Sequence, residues 1–170
     1  AVIFDIDGLL INSEPLWNQA AAEIFRQYGI QLTEAQYQFT TGLRSKEFVA
    51  HWLHEHKVPS SEFDRAEQKI IDLALDLIDK EATLMPGVEH VFEFFLQRDF
   101  KMGLATSSPS LLIEWIKDKL HIRSYIQSSC SAQNMIHAKP HPQVYLECAA
   151  GLHVSPLACI CFEFDSSKLR

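Results

Sequence analysis

The sequence contains no Cys-x-x-Cys pair, no His-Glu-x-x-His segment and no apolar run near the roughly 18 residues that a membrane span needs. No charged-then-apolar leader opens it. Glycine and proline are sparse, six and seven in 170 residues, which excludes collagen-like and low-complexity chains. Basic side chains are in deficit. Fifteen Lys and Arg against 22 Asp and Glu give a net charge of −7, which disfavours a broad nucleic-acid-binding face but leaves room for a small cationic pocket around an anion. These absences predict a soluble protein outside the membrane, and 47% hydrophobic residues suffice for a packed core of one large domain or one domain with an insert.

Four cysteines, Cys130, Cys148, Cys159 and Cys161, read as buried free thiols of a reducing, cytoplasmic setting. His51, His54 and His56 lie beside Glu55 and Lys57 at an expected helix end, a pattern that fits a solvated polar surface better than a zinc site.

The chain opens on Val2-Ile3-Phe4, a short β-branched and aromatic run that breaks into Asp5-Ile6-Asp7-Gly8, as a buried strand ending in a turn would. It has almost no lead-in before this strand and no initiator Met, so residues are expected to precede it. Ser13 offers an N-cap and Pro15 suits a first helical turn, with Ala20, Ala21, Ile24, Phe25 and Tyr28 at helical spacing up to Gly29. A second helix is predicted over Ser45 to Glu55. A longer third one carries Phe63, Ala66, Ile70, Leu73, Leu77 and Ile78 on one face. From Asn12 to about Thr83 the pattern is helical throughout. After Pro86-Gly87 a helix over Val88 to Leu96 leads into alternation: a strand at Met102–Ala105, a helix over Leu111 to Leu120, a short strand at Tyr125-Ile126, a helix over Gln143 to Ala150 and a strand at Cys159–Phe162. Strands alternating with helices imply a mostly parallel sheet covered on both faces. The fold class is therefore α/β, a Rossmann-like parallel-sheet core over residues 1–11 and 84–170 with a small α-helical cap, residues 12–83, inserted after the first strand.

In such sheets ligands gather at the carboxyl ends of the strands. Asp5 and Asp7 follow the first strand, and Thr106 and Ser107 the second. Lys139 lies in the loop after the third, and Glu163 and Asp165 follow the last. Each group alone suits an ordinary turn. Four of them at one sheet edge suggest a site.

The segment Asp5-Ile6-Asp7-Gly8-Leu9-Leu10-Ile11-Asn12-Ser13-Glu14-Pro15 resembles the DxDG region of the haloacid dehalogenase-like hydrolases, and Thr106, Lys139-Pro140 and the Glu163/Asp165 pair stand in order at the positions of that family's later motifs. Together with Lys139-Pro140-His141-Pro142-Gln143-Val144-Tyr145, the first segment is most similar to bacterial sugar-phosphate phosphatases of the hexitol/2-deoxyglucose-6-phosphate type, with β-phosphoglucomutases as relatives. The resemblance implies a Mg²⁺-dependent hydrolysis of small sugar-phosphate monoesters, with a phosphomutase or a catalytically impaired phosphate-binding domain as alternatives and a monomer as the expected state. It implies Asp5 as nucleophile and Asp7 as general acid/base, with Asp5 ionised and the Asp7 pKa raised. It also implies Thr106, Ser107 and Lys139 on the phosphoryl oxygens, and Mg²⁺ held by Asp5, the Asp7 backbone carbonyl and the Glu163/Asp165 pair.

The cap would then choose the substrate. Arg44 stands where related caps contact the far end of the substrate and also suits a solvated helix start; Glu14 and Trp17 begin the first cap helix, and Trp17 fits a packing role equally. Ser108 suits either a substrate hydroxyl or the cap of the helix that follows. Related mutases carry a histidine acid/base near the place of Trp17, which an indole cannot replace.

One motif departs from the pattern. The family has Asp after the Glu of its fourth motif, where this chain reads Glu163-Phe164-Asp165 and ends at Arg170. Omitted residues, a truncated form and a one-residue insertion that moves the metal ligand to Asp165 all fit that text. With an outer strand and helix missing, an exposed apolar sheet edge is expected.

Overall fold

The computed structural model describes residues 1–164, so Asp165, one of the expected metal ligands, lies outside the described residues. The chain divides into two compact units: residues 1–12 and 83–164, and a helical unit that begins at Ser13 and runs to Ala82.

The first unit is built on four parallel strands in the order β3-β2-β1-β4. These are β1 (Val2–Phe4), β2 (Met102–Thr106), β3 (Ile126–Ser131) and β4 (Ile160–Phe162). Every residue of β1 and β2 is buried, because the two central strands are covered on both faces and therefore read as unbroken apolar text. Val2, Ile3 and Phe4 pair with Met102, Gly103 and Leu104 on one side and with Ile160, Cys161 and Phe162 on the other.

Three helices of this unit are α5 (Val88–Leu96), α6 (Ser110–Lys119) and α7 (Gln143–Gly151). Phe92 and Phe95 of α5 pack on Phe4, with ring centroids 4.9 and 5.9 Å away, and Phe162 stacks on Phe4 at 5.3 Å. On the other side Ile3, Ala105, Val144, Cys148, Ala149 and Leu152 form a second apolar cluster under α7.

β3 runs to Ser131, well beyond the expected Tyr125-Ile126. Its text, Ile126-Gln127-Ser128-Ser129-Cys130-Ser131, lacks the β-branched alternation that marks a strand, and the ladder to β2 holds it in place instead. The register slips between Met102 and Gly103, and the Gln127 side chain accepts the Met102 N–H at 2.8 Å. The cysteines are free, but Cys161 is exposed and Cys130 and Cys159 are half-buried, so only Cys148 meets the expectation of burial. On β4, Ile160 and Phe162 remain exposed alongside Cys161.

The helical unit holds α1 (Glu14–Arg26), α2 (Glu34–Thr40), α3 (Ser45–Glu55) and α4 (Phe63–Glu81). Ala66, Ile70, Ala74 and Ile78 of α4 recur at helical spacing and are buried; the first three share a core with Ala20, Ala21, Ile24 and Phe25 of α1 and Val49, Trp52 and Leu53 of α3. Ser13 stands at the N-cap position of α1 but has helical backbone angles and makes no capping bond, whereas Pro15 occupies the first turn as expected. The short α2 escaped the sequence reading. Its capping box pairs the Thr33 hydroxyl with the Gln36 N–H at 3.4 Å and the Thr33 N–H with the Gln36 side chain at 2.8 Å. Among the described residues no helix is long and apolar enough to cross a membrane.

Gly103 lets α7 approach the sheet closely: a Cβ there would lie 2.5 Å from Cys148 Sγ and 3.3 Å from both Leu152 Cδ1 and the Ser128 carbonyl oxygen. We expect Gly103→Ala to cost about 1–3 kcal/mol by overpacking, read as a lowered Tm, and Cys148→Ala to recover part of that loss when combined with it. An unchanged Tm for Gly103→Ala would contradict this packing.

Candidate active site

β1 delivers its last residues into a tight turn. Leu10 N–H bonds to the Ile6 carbonyl at 2.9 Å and Gly8 N–H to the Ile11 carbonyl at 3.0 Å, which folds the chain back directly after the strand. Gly8 has φ +71°, and a Cβ on it would meet the Phe164 ring at 2.7 Å, so this position excludes side chains on two counts. Phe164, the residue that breaks the family pattern, thus lays its ring over the turn that carries Asp5 and Asp7.

The turn places the two carboxylates in different surroundings. Asp5 is only 6% exposed, and its backbone N–H extends the sheet ladder to the Phe162 carbonyl at 2.9 Å. Lys139, from the loop between β3 and α7, puts its Nζ 2.9 Å from Asp5 Oδ1 and 2.9 Å from Glu163 Oε2, with the Ala105 carbonyl at 3.4 Å. One ammonium therefore serves two carboxylates. Burial is the main cause that pushes the Asp5 carboxyl up to about 7; Lys139 opposes the rise, while Glu163 adds to it through a shared hydrogen bond and like charge. The sequence reading expected Asp5 to stay ionised. Within the protein alone, the positive charge near it falls one short of the negative.

Asp7, two residues on, is half-buried and is held by hydroxyls. Ser108 Oγ donates to Asp7 Oδ2 at 2.6 Å and Thr106 Oγ1 to the same oxygen at 3.2 Å. The Ser108 N–H bonds in turn to Thr106 Oγ1 at 3.0 Å, and Ser131 Oγ donates to the Ser108 carbonyl. The end of β2 and the end of β3 are thus tied to the acid on the β1 turn. Ser108 was expected at a substrate hydroxyl or a helix cap; the structure puts its own hydroxyl on Asp7, and Pro109 rather than Ser108 precedes α6.

Of the residues singled out from sequence, these bonds join Asp5, Lys139 and Glu163 in one group and Asp7, Thr106 and Ser108 in another, and half-buried Ser107 sits between Thr106 and Ser108. Glu163 is exposed and spends both carboxylate oxygens on Lys139, at 2.9 and 3.1 Å. Glu14, Trp17 and Arg44 belong to the helical unit. Glu14 opens α1, Trp17 is partly buried against the helical core, and Arg44 pairs with Glu47 at the start of α3. Sequence reasoning missed Ala105, whose carbonyl meets Lys139, and Ser131; neither residue type carries a signal for such a role.

An all-oxygen donor set at a buried carboxylate suits a hard divalent cation, and the charge deficit around Asp5 and Glu163 is the feature such an ion would correct. Among the described residues no group of three or more His, Cys, Asp or Glu side chains converges in a geometry to hold a metal. Asp5 and Glu163, each 2.9 Å from the Lys139 ammonium, are the carboxylates such an ion would draw on.

The raised Asp5 value has a consequence for stability. An unfolded chain releases this proton near 3.8 and the folded chain near 7, so folding binds the extra proton between those values and stability is lost as pH rises through them. Above pH 7 the full cost stands. In metal-free protein we expect Asp5→Asn to be more stable than wild type at pH 8, with the difference shrinking as the pH falls toward 4. Thermal melts with a chelator present check this; a less stable Asp5→Asn at pH 8 would contradict it.

Comparison with known proteins identifies the family. Residues 2–167 match the family described as haloacid dehalogenase-like hydrolase. Hexitol phosphatase B of Escherichia coli K12 is 34% identical over 164 residues, covering 96% of this chain and 74% of that protein. A phosphorylated carbohydrates phosphatase of Thermotoga maritima is 26% identical, covering 100% of this chain and 78% of its own. The crystal structure of β-phosphoglucomutase from Clostridium difficile superposes with a TM-score of 0.86 at 24% identity, over 96% of this chain and 75% of that one, which concerns the fold. This chain belongs to the haloacid dehalogenase-like hydrolase family.

Proposed function

We propose that this protein hydrolyses small sugar-phosphate monoesters through a phosphoryl group carried on Asp5. The observation that supports the reading most is the Lys139 bridge to Asp5, 2.9 Å away, beside an Asp7 held by two hydroxyls. The hexitol and phosphorylated-carbohydrate phosphatases among its relatives support the substrate class.

In this reading an Asp5 carboxylate oxygen attacks phosphorus while Asp7 protonates the departing alkoxide, so the sugar leaves as a neutral alcohol. A water then attacks the aspartyl phosphate, Asp7 takes its proton, and inorganic phosphate leaves Asp5 free. Lys139, Thr106 and the backbone N–H groups at Ser107 bind the phosphoryl oxygens. Thr106 has one hydroxyl proton to give. Donating it to a phosphoryl oxygen withdraws it from Asp7 and leaves Ser108 as the hydroxyl that keeps Asp7 aimed.

Asp5, the Asp7 backbone carbonyl and Glu163, with Asp165 as the further candidate, would hold Mg²⁺, whose charge offsets the repulsion between an ionised Asp5 and the phosphate dianion. The helical unit would act as the cap that selects the sugar, through Glu14, Trp17 and Arg44. Trp17 lies partly buried among apolar neighbours of the helical core and carries no group able to shuttle the proton a mutase requires, which favours hydrolysis over phosphoryl isomerisation.

Release of inorganic phosphate from a panel of hexose and hexitol phosphates tests the reading. We expect steady Mg²⁺-dependent release, loss of at least about 10³-fold in kcat for Asp5→Asn, and a smaller fall of about tenfold for Ser108→Ala with KM nearly unchanged. Turnover that survives Asp5→Asn would overturn the mechanism. Product that is an isomeric sugar phosphate without free phosphate would establish the mutase instead.

Mg²⁺ should also raise the Tm of the wild type by binding the folded state, and this shift should shrink in Asp5→Asn. An equal shift in both would place the ion elsewhere.

A further inference from the structure

Lys139 has three N–H donors and no acceptor, and its oxygen partners are Asp5, Glu163 and the Ala105 carbonyl. A fourth neighbour is not an oxygen. The Lys139 ammonium lies 5.0 Å from the centroid of the Tyr145 ring, within the range at which a cation is drawn to an aromatic face.

Tyr145 stands in the first turn of α7, where its backbone N–H bonds to the Pro142 carbonyl at 3.0 Å. Its side chain packs against the apolar cluster of Ile3, Ala105, Val144, Cys148 and Ala149, so the ring is anchored from the core. Its hydroxyl is buried and has no hydrogen-bond partner among the described residues. A buried phenol without a partner is a cost to folding that phenylalanine would avoid. What this position contributes is therefore the ring face.

We propose that Tyr145 is a positioning residue whose ring holds the Lys139 ammonium at the Asp5 end of β1. The proposal rests on the reading of Lys139 as a ligand of the phosphoryl group. A lysine ammonium rides on a flexible four-carbon stem. Of its carboxylate partners Glu163 is exposed and Asp5 buried, so an unsupported ammonium has an outward alternative beside Glu163. The ring removes that freedom before substrate arrives, and the expected benefit falls on phosphate affinity more than on the chemical step.

The test uses the full chain with Tyr145→Phe, Tyr145→Leu, Lys139→Ala and the Tyr145→Leu/Lys139→Ala pair. It reads kcat and KM for the best phosphomonoester, Ki for inorganic phosphate, and Tm. Tyr145→Leu should raise both KM and Ki about five- to tenfold with a lesser change in kcat, the size of one partly desolvated cation–ring contact. Tyr145→Phe should restore wild-type KM and Ki and raise Tm. In the Lys139→Ala background Tyr145→Leu should change neither constant further.

The proposal is overturned if Tyr145→Leu weakens phosphate equally in both backgrounds, if it has no effect, or if Tyr145→Phe is as impaired as Tyr145→Leu. Lys139→Ala with unchanged turnover and phosphate inhibition would overturn the reading of Lys139 itself and this proposal with it. Should Tyr145→Leu not fold, the wild type alone still decides. The ε-methylene protons of Lys139 should be shifted upfield in its NMR spectrum by the ring beneath them, and resonances at the ordinary lysine position would overturn the proposal.

Discussion

One ammonium is shared between two carboxylates at the carboxyl end of the sheet, and most of the site follows from that shortage. Lys139 can neutralise either Asp5 or Glu163 but not both, and Asp5 is buried. Burial makes the Asp5 anion costly, and a shared counter-ion does not cancel that cost, so its carboxyl is pushed up to about 7. A charge-deficient buried carboxylate stores a need for positive charge. Substrate phosphate adds further negative charge, so on this reading a divalent cation is part of the working site.

Two carboxylates only two residues apart have acquired separate tasks from separate surroundings. Asp5 follows the strand register into the interior, where its N–H continues the ladder to β4. Asp7 lies beyond it on the turn, half-buried, within reach of the Thr106 and Ser108 hydroxyls. The turn geometry depends on Gly8, and the ring of Phe164 closes over it. In the proposed mechanism the same strand-to-turn step sets one group up to carry a phosphoryl and the other to trade a proton with the alkoxide and the water.

What the sequence made legible was decided by how strongly each segment's environment constrains it. β1, β2, α3, α4 and α5 lie where two buried faces or one long apolar stripe leave little choice, and their patterns were plain. Only two residues of β3 read as strand in the sequence, because its serines lie at a half-buried face and show no period. The α2 capping box, Thr33 with Gln36, stands in the sequence, but seven residues are too few to show periodicity. At the site, the charged and hydroxyl groups are legible because each follows directly on an apolar strand or its loop. The charge balance was not, since the burial of Asp5 and the loyalty of Lys139 to Glu163 arise only when distant loops meet. The partnership of Ser108 with Asp7, 101 residues apart, is of the same kind.

The most direct test is to stop the wild-type enzyme in acid during turnover with a sugar phosphate and locate any added phosphoryl group by peptide mass spectrometry. A phosphoryl on Asp5, present during turnover and absent once substrate is exhausted, is the predicted result. A chain that releases phosphate at full rate yet never carries the group, or carries it on another side chain, would contradict the central claim.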